Sequence, residues 1–257
     1  MSKMPSHVFL SELSFTYPRT AHKVLDIQEL RIAAGERVAF IGATGAGKTT
    51  LLRLIDGRLL DWTGRAEVLD RTLSPRRAAP RSWSADIGFV FQEFALIERS
   101  TVYENVRIGR LGRTSPALSL LGVFNDRDET AVTEAINDVG LADLAEQRVD
   151  QLSGGQRQRV AVARCLAQEP KILIADEPVS NLDPTSAAKV LDLAKSCAEA
   201  RGVTLLISSH QPKLVASYVD RIVGLQQGRV AFDKPADTVT PEDLGSLYGW
   251  QVTETAA

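Results

Sequence analysis

An α/β fold built on a mostly parallel sheet is predicted for this chain by three observations. The apolar run ERVAFIG leads directly into GATGAGKTT and then into the helix-periodic TTLLRLIDGRL, which is the order strand, glycine loop, helix. Two later runs, KILIADE and VTLLISSH, are apolar almost throughout, as strands covered on both faces must be. Between them Asp183 and Pro184 supply an N-cap and a first-turn proline, so a helix joins the two strands and ends near Gly202.

The remaining elements follow in order. Residues 7 to 41 alternate β-like text with turn residues (HVFLSELSFTY, VLDIQELRI, then ERVAFIG after Gly35), which predicts three early strands. Residues 64 to 91 give two more, in GRAEVLD and DIGFVFQ, separated by RTLSPRRAAPRSWS, a segment whose Arg, Pro and Ser content predicts a surface loop. From Thr101 the text turns helical: Thr101 and Glu104 form a capping-box pair, and ETAVTEAINDV runs helically to Gly140. A helical insertion over 95–168 is therefore expected, flanked by a core made of 1–94 and 169–257. The chain closes on RIVGLQQGRVAFDKP, a hairpin turning near Gly228, and on a short helix capped by Thr240 with Pro241 in its first turn.

Composition removes several function classes. Among 257 residues, 30 Lys and Arg face 32 Asp and Glu, so no global basic field exists to hold nucleic acid or a lipid surface. Arg71, Arg76, Arg77 and Arg81 cluster in one loop without interleaved aromatics, which fits a solvated loop better than a nucleic-acid contact. No apolar run approaches the ~20 residues of a membrane span, and MSKMPSHVFL lacks a signal-like core, so a cytoplasmic protein is expected. Cys165 and Cys197 show no CxxC spacing and are expected in the core of a protein from a reducing compartment. His7 and His22 lack ligand spacing and are read as structural.

The chemistry starts at Gly42, Ala43, Thr44, Gly45, Ala46, Gly47, Lys48 and Thr49, which fit G-x-x-x-x-G-K-[ST], with Thr50 following. Glycines let backbone N–H groups approach phosphate oxygens, the helix start adds positive potential, Lys48 reaches the β- and γ-phosphates, and Thr49 suits Mg²⁺. At the carboxyl end of ILIAD stand Asp176 and Glu177, where open α/β sheets place ligands. Asp176 suits the metal ion, and Glu177 suits a general base toward the attacking water.

In LSGGQRQRVAVARCLAQEP, Ser153 is an N-cap and Gln156 its capping-box partner, while Gly154 and Gly155 leave backbone N–H groups uncovered. With this segment the chain resembles the ATPase subunits of ABC transporters. The resemblance implies a P-loop NTPase core of ABC type: a mostly parallel sheet with flanking helices, an N-terminal antiparallel β-subdomain, and an inserted helical subdomain. It implies ATP and Mg²⁺ as cofactors, and a second copy whose Ser153, Gly154, Gly155 and Gln156 bind the γ-phosphate held on the first. By the same resemblance Tyr17 in LSFTYP stacks on adenine, with a strand tyrosine packed in the core as the competing reading. Gln92 in VFQEF reaches Mg²⁺ and water, and His210 contacts the γ-phosphate and helps hold water. Asp183 in SNLD signals across the dimer while also capping its helix.

Residues 88 to 160, above all the GRLGRTSPALSLLGVF insert, are similar to the ATPase subunits of phosphonate importers. The RTLSPRRAAPRSW loop and SSHQPKL, with Ser209 and Pro212, depart from that subfamily and leave the solute open among phosphonate, phosphite and phosphate ester. The resemblance implies two membrane permease subunits docking near Phe94, Leu96 and Ile97, a solute-binding protein, and a place on the inner face of the cell membrane through the permease. An ABC ATPase for another solute, or a soluble ABC-type ATPase or regulator, is the alternative.

Overall fold

The computed structural model describes residues 6–18, 20, 22–80, 83, 85–90, 95–115, 122–180 and 182–249. The chain divides into two compact units: Met1–Ala79 with Leu206–Ala257, and Pro80–Leu205.

In the first unit, β1 (Ser6–Phe15), β2 (Leu25–Ala33), β4 (Thr63–Val68) and β5 (Arg71–Thr72) form an antiparallel sheet in the order β2-β1-β4-β5. Val8, Leu10, Leu13 and Phe15 are buried and lie opposite Ile32, Leu30, Ile27 and Leu25 of β2. The two-residue period of β1 breaks at Glu12, which takes φ 50, and the register with β4 shifts between Ser11 and Ser14. This is a bulge, and Gly64 closes on it: a Cβ there would sit 2.3 Å from the Glu12 carbonyl oxygen.

Also in this unit, β3 (Arg37–Ile41) runs parallel to β9 (Arg221–Gln226), which pairs antiparallel with β10 (Arg229–Pro235). The hairpin turns through Gln227 and Gly228, with φ 48 and 78, the left-handed pair that suits a two-residue turn. After β3 comes α1 (Lys48–Ile55); later in the unit stand the short α6 (Pro212–Val215) and then α7 (Pro241–Tyr248), capped by Thr240 and Asp243 in a reciprocal box. The hairpin and the capped helix lie where the sequence predicts them.

In the second unit, β6 (Ile87–Val90) and β7 (Ile172–Asp176) are parallel neighbours, buried at every position. β8 (Thr204–Ser209), equally buried, begins in this unit and ends in the other, and the Thr204 N–H donates to Lys171 O at 3.0 Å. α5 (Pro184–Arg201) connects β7 to β8 and stops at Gly202, φ 63. The short α2 (Val102–Arg107) packs with α3 (Asp126–Asp138) and α4 (Gly154–Ala167). Each begins in a capping box: Thr101 with Glu104, Asn125 with Asp128, Ser153 with Gln156. A buried arginine ties them: Arg110 Nε donates to Asp128 Oδ1 at 2.8 Å, and its Nη1 donates to Ala167 O at 2.7 Å and Glu169 Oε2 at 2.8 Å. The cation thereby meets the carbonyl end of α4, where the helix dipole favours it.

The Arg-rich segment differs in part from a plain surface loop. Arg71, Arg76 and Arg77 are exposed, and Arg81 lies outside the described residues. Arg71 and Thr72, however, pair with β4, while Leu73 and Trp83 are 8% and 2% exposed. The segment is pinned by its apolar residues, because leaving them in water is unfavourable. Cys165 and Cys197 are buried and are not joined in a disulfide. Among the described residues no helix is long and apolar enough to cross a membrane.

Candidate nucleotide site

The phosphate loop is shaped by glycines that its surroundings demand. Gly42 (φ 152) and Gly47 (φ 103) would place a Cβ 2.3 Å from Leu225 O and 2.7 Å from Val24 O, whereas Gly45 (φ 83) meets nothing within 4 Å. Two glycines therefore admit the loop to its seat, and the third leaves the loop tip open to a ligand. Gly47 is the N-cap of α1, and no side chain caps that helix start. Lys48 is 5% exposed and its Nζ donates to Gly42 O at 2.8 Å and Ala43 O at 3.2 Å. Ala43, Thr44 and Gly45 are exposed, Ala46 is buried, Thr49 is half-buried and Thr50 is buried. Tyr17 sits beside this helix, with its hydroxyl 3.3 Å from Thr50 Oγ1 and its ring edge-on to Phe15 at 4.8 Å. Tyr17 and the loop are thus brought together, although 25 or more residues separate them in the chain.

Three contacts brace the loop from the carboxyl-terminal part of the chain. The Gly228 N–H donates to Ala46 O at 3.0 Å, Leu225 O abuts Gly42, and the Gly42 N–H donates to the Tyr248 hydroxyl at 3.2 Å. No local pattern in the sequence singles out Tyr248, because its partner is 206 residues away. His210 follows β8 and is exposed, next to Ser209, whose Oγ accepts from the Gln211 N–H at 2.9 Å.

In the second unit, β7 carries Asp176 at its end, 9% exposed, and hands the chain to Glu177, which is half-buried at φ 48. A non-glycine residue there is strained, and such strain concentrates at functional positions. The Ser180 hydroxyl and N–H both donate to Glu177 O, at 3.2 and 3.3 Å, and hold the turn. The side chains of Asp176 and Thr49 offer hard oxygen donors of the kind Mg²⁺ takes, so the residue types fit the ion.

At the start of α4, Ser153 Oγ accepts from the Gln156 N–H at 3.3 Å and Gln156 Oε1 accepts from the Ser153 N–H at 2.8 Å. Ser153 and Gly154 are exposed, and Gly155 and Gln156 half-buried. A Cβ on Gly154 would meet Leu182 at 3.6 Å and one on Gly155 would meet Ser186 at 3.6 Å, both ordinary contacts. Unlike Gly42 and Gly47, these two glycines are not required by the described residues around them. Beside them a cavity of about 530 Å³ is lined by Ser153, Gly155, Gln156, Arg159, Ser186 and Lys189, among others. The Asp183 carboxylate accepts from the Thr185 and Ser186 N–H groups, both at 3.0 Å. The Ser186 side chain and these amides hold the Asp183 carboxyl below the usual carboxylate range. Leu96 is half-buried and Ile97 is 51% exposed, while Gln92 and Phe94 lie outside the described residues.

A fold with a glycine phosphate loop, an acidic strand end and a second glycine-bearing helix start defines an ATP-binding cassette. The family model described as "ABC transporter" matches residues 25–180, and the chain belongs to that family. It is an ATP-binding, ATP-hydrolysing subunit that works with Mg²⁺. Among curated relatives, it is 45% identical over 221 residues to "Phosphonates import ATP-binding protein PhnC" of Anaeromyxobacter dehalogenans, covering 85% of this chain and 44% of that one. It is 38% identical to PhnC 2 of Oceanobacillus iheyensis, covering 90% of this chain and 92% of the relative. Among solved structures, cbiO1 of Clostridium perfringens, part of the ABC transporter complex cbiONQ, matches with TM-score 0.80 at 27% identity over 93% of each chain. A dimeric ATP-binding cassette bound to ADP and Pi in a post-hydrolysis state matches with TM-score 0.76 at 29% identity, covering 89% of this chain and 98% of that one.

Proposed function

We propose that this chain drives a phosphonate importer from the cytoplasmic side of the membrane, as one of two ATPase subunits that close on ATP and part after hydrolysis. The observation that carries the pairing is the room at Gly154 and Gly155: among the described residues nothing excludes a side chain at either position, so we read the glycines as answering a demand from outside. A phosphate on a second copy, approached by the bare amides of α4, meets that demand. The solute class is supported by the PhnC relatives, whose names specify phosphonate import.

In this mechanism the amides of Gly42–Gly47 and the Lys48 ammonium bind the β- and γ-phosphates, and Tyr17 packs against adenine. Ser153, Gly155 and Gln156 of the second copy receive the γ-phosphate from the other side. Thr49, Asp176 and Gln92 would hold Mg²⁺, which would supply positive charge against the phosphates. Glu177 takes the proton of the attacking water, and His210 holds that water in line. Asp183, fixed by its cap on α5, links the two copies. The lobe of residues 95–168 carries the signature helix, and the permease helices dock near Phe94, Leu96 and Ile97, where Ile97 offers exposed apolar surface. A solute-binding protein completes the importer.

The test is Glu177→Gln. Turnover should fall about 10²–10⁴-fold, while ATP now holds the protein as a dimer in gel filtration. Turnover near wild type would remove Glu177 from the role of base. Uptake of a labelled phosphonate by cells carrying the importer, lost on deletion of this subunit, tests the solute, and uptake of another solute instead would reassign it.

A further inference from the structure

We infer that Tyr248, at the carboxyl end of the chain, is a positioning residue of the nucleotide site, and that α7 sets ATP affinity through it. The inference rests on the reading of Gly42–Thr49 as the phosphate site.

The geometry is a short relay. The Tyr248 hydroxyl accepts the Gly42 N–H at 3.2 Å, and the Gly42 carbonyl accepts the Lys48 ammonium at 2.8 Å. One residue therefore stands between the tyrosine and the lysine that meets phosphate. That residue is glycine at φ 152, the most freely rotating type, in a region other residues avoid. Leu225 O bars a side chain at Gly42 but does not fix the direction of its two peptide planes. A hydrogen bond on the N–H fixes the plane before Gly42, so that only the two torsions of Gly42 itself stand between that plane and the carbonyl on which Lys48 rests.

The tyrosine is itself well held. Leu247 next to it is 3% exposed, the Lys234 ammonium pairs with both carboxylate oxygens of Asp243 at 2.7 and 2.8 Å, and Gln226 Nε2 donates to Ser246 O at 3.1 Å. Two of these contacts tie α7 to β9 and β10, the same hairpin whose Gly228 N–H holds Ala46 O. The hydroxyl is thus delivered by a rigid element, which is what positioning to a few tenths of an ångström needs. Without it, a phosphate must order the loop as it binds, and that cost appears as lost affinity.

The experiment is Tyr248→Phe, which removes the hydroxyl and keeps the ring. Equilibrium binding of Mg-ATP and the melting temperature without nucleotide are measured on the full chain. The expected result is an ATP Kd raised about 3- to 10-fold, the worth of one hydrogen bond, with an unchanged melting temperature and faster amide exchange confined to the Gly42–Lys48 segment. An unchanged Kd overturns the proposal. So does a Kd that rises only together with a large fall in melting temperature, since that marks a purely structural contact. Should the variant fail to fold, exchange at the Gly42 amide in wild type decides: rapid exchange means that the bond is not held, and the proposal fails. Lys48→Ala run in parallel separates the two readings. If it binds ATP as well as wild type, the phosphate site itself is misassigned; if it loses ATP while Tyr248→Phe does not, the tyrosine alone is.

Discussion

The Lys48 ammonium lies 2.8 Å from the carbonyl oxygen of Gly42, inside a loop where the lysine is only 5% exposed. A buried ammonium is tolerated because it is hydrogen-bonded, and these carbonyls hold the charge at the mouth of α1, where the proposed mechanism brings a phosphate. Lys48→Ala is expected to weaken ATP binding about 10- to 100-fold, as read by calorimetry, with little loss of fold. Unchanged affinity would show that the charge faces something other than phosphate.

Gly47 and Gly155 make opposite predictions from the same substitution. Gly47→Ala puts a Cβ 2.7 Å from Val24 O at φ 103, so the fold should lose about 1–3 kcal/mol and ATP binding with it. Gly155→Ala meets only a 3.6 Å contact with Ser186 and replaces a poor helix former with a good one. Its melting temperature should hold or rise and ATP binding by the single subunit should persist, while ATP-dependent dimerisation and turnover collapse. If Gly155→Ala dimerises on ATP like wild type, the second copy does not reach this helix start.

What the sequence discloses here is chiefly what is local. Thr101 with Glu104, Ser153 with Gln156, Asp183 with Pro184, and Thr240 with Pro241 lie one helical turn apart or less, and each pair fixes its own helix start. The phosphate loop is legible for the same reason, being one run of eight residues between a strand and a helix. What holds that loop is not legible: Leu225, Gly228 and Tyr248 come from far down the chain, and even the hairpin turn at Gly228 carries no local sign that it meets the loop. Leu73 and Trp83 are hidden in a segment rich in Arg, Pro and Ser, where composition argues for solvent and two apolar side chains decide otherwise.

Arg110 and Asp128 form a pair in which each side chain is 3% exposed, 18 residues apart in sequence. Arg110 belongs to no recognisable pattern and Asp128 only to the capping box of its own helix, yet removing the arginine leaves the Asp128 carboxylate in the core without its cation. Arg110→Met should cost about 3–5 kcal/mol in denaturant unfolding, and adding Asp128→Leu should restore part of it. Additive losses in the double variant would mean that the two charges are not coupled.

Asp56 follows the last residue of α1, is 2% exposed, and pairs with Arg58 without a well-formed hydrogen bond to its carboxylate. Burial pushes its carboxyl up to about 7 from 3.8, against the partial compensation of Arg58. The carbonyl end of α1 adds to the penalty on a negative charge. Because the folded state holds this proton more tightly than the unfolded chain, stability from this group is complete below pH 3.8 and declines as the pH climbs to about 7. The full loss is on the order of 4 kcal/mol above that point. Asp56→Asn carries no charge to bury, so its melting temperature relative to wild type should rise steadily from pH 4 to pH 8 and level off beyond. A difference that stays flat across that range would mean that Asp56 is ionised throughout, with Arg58 compensating its burial in full.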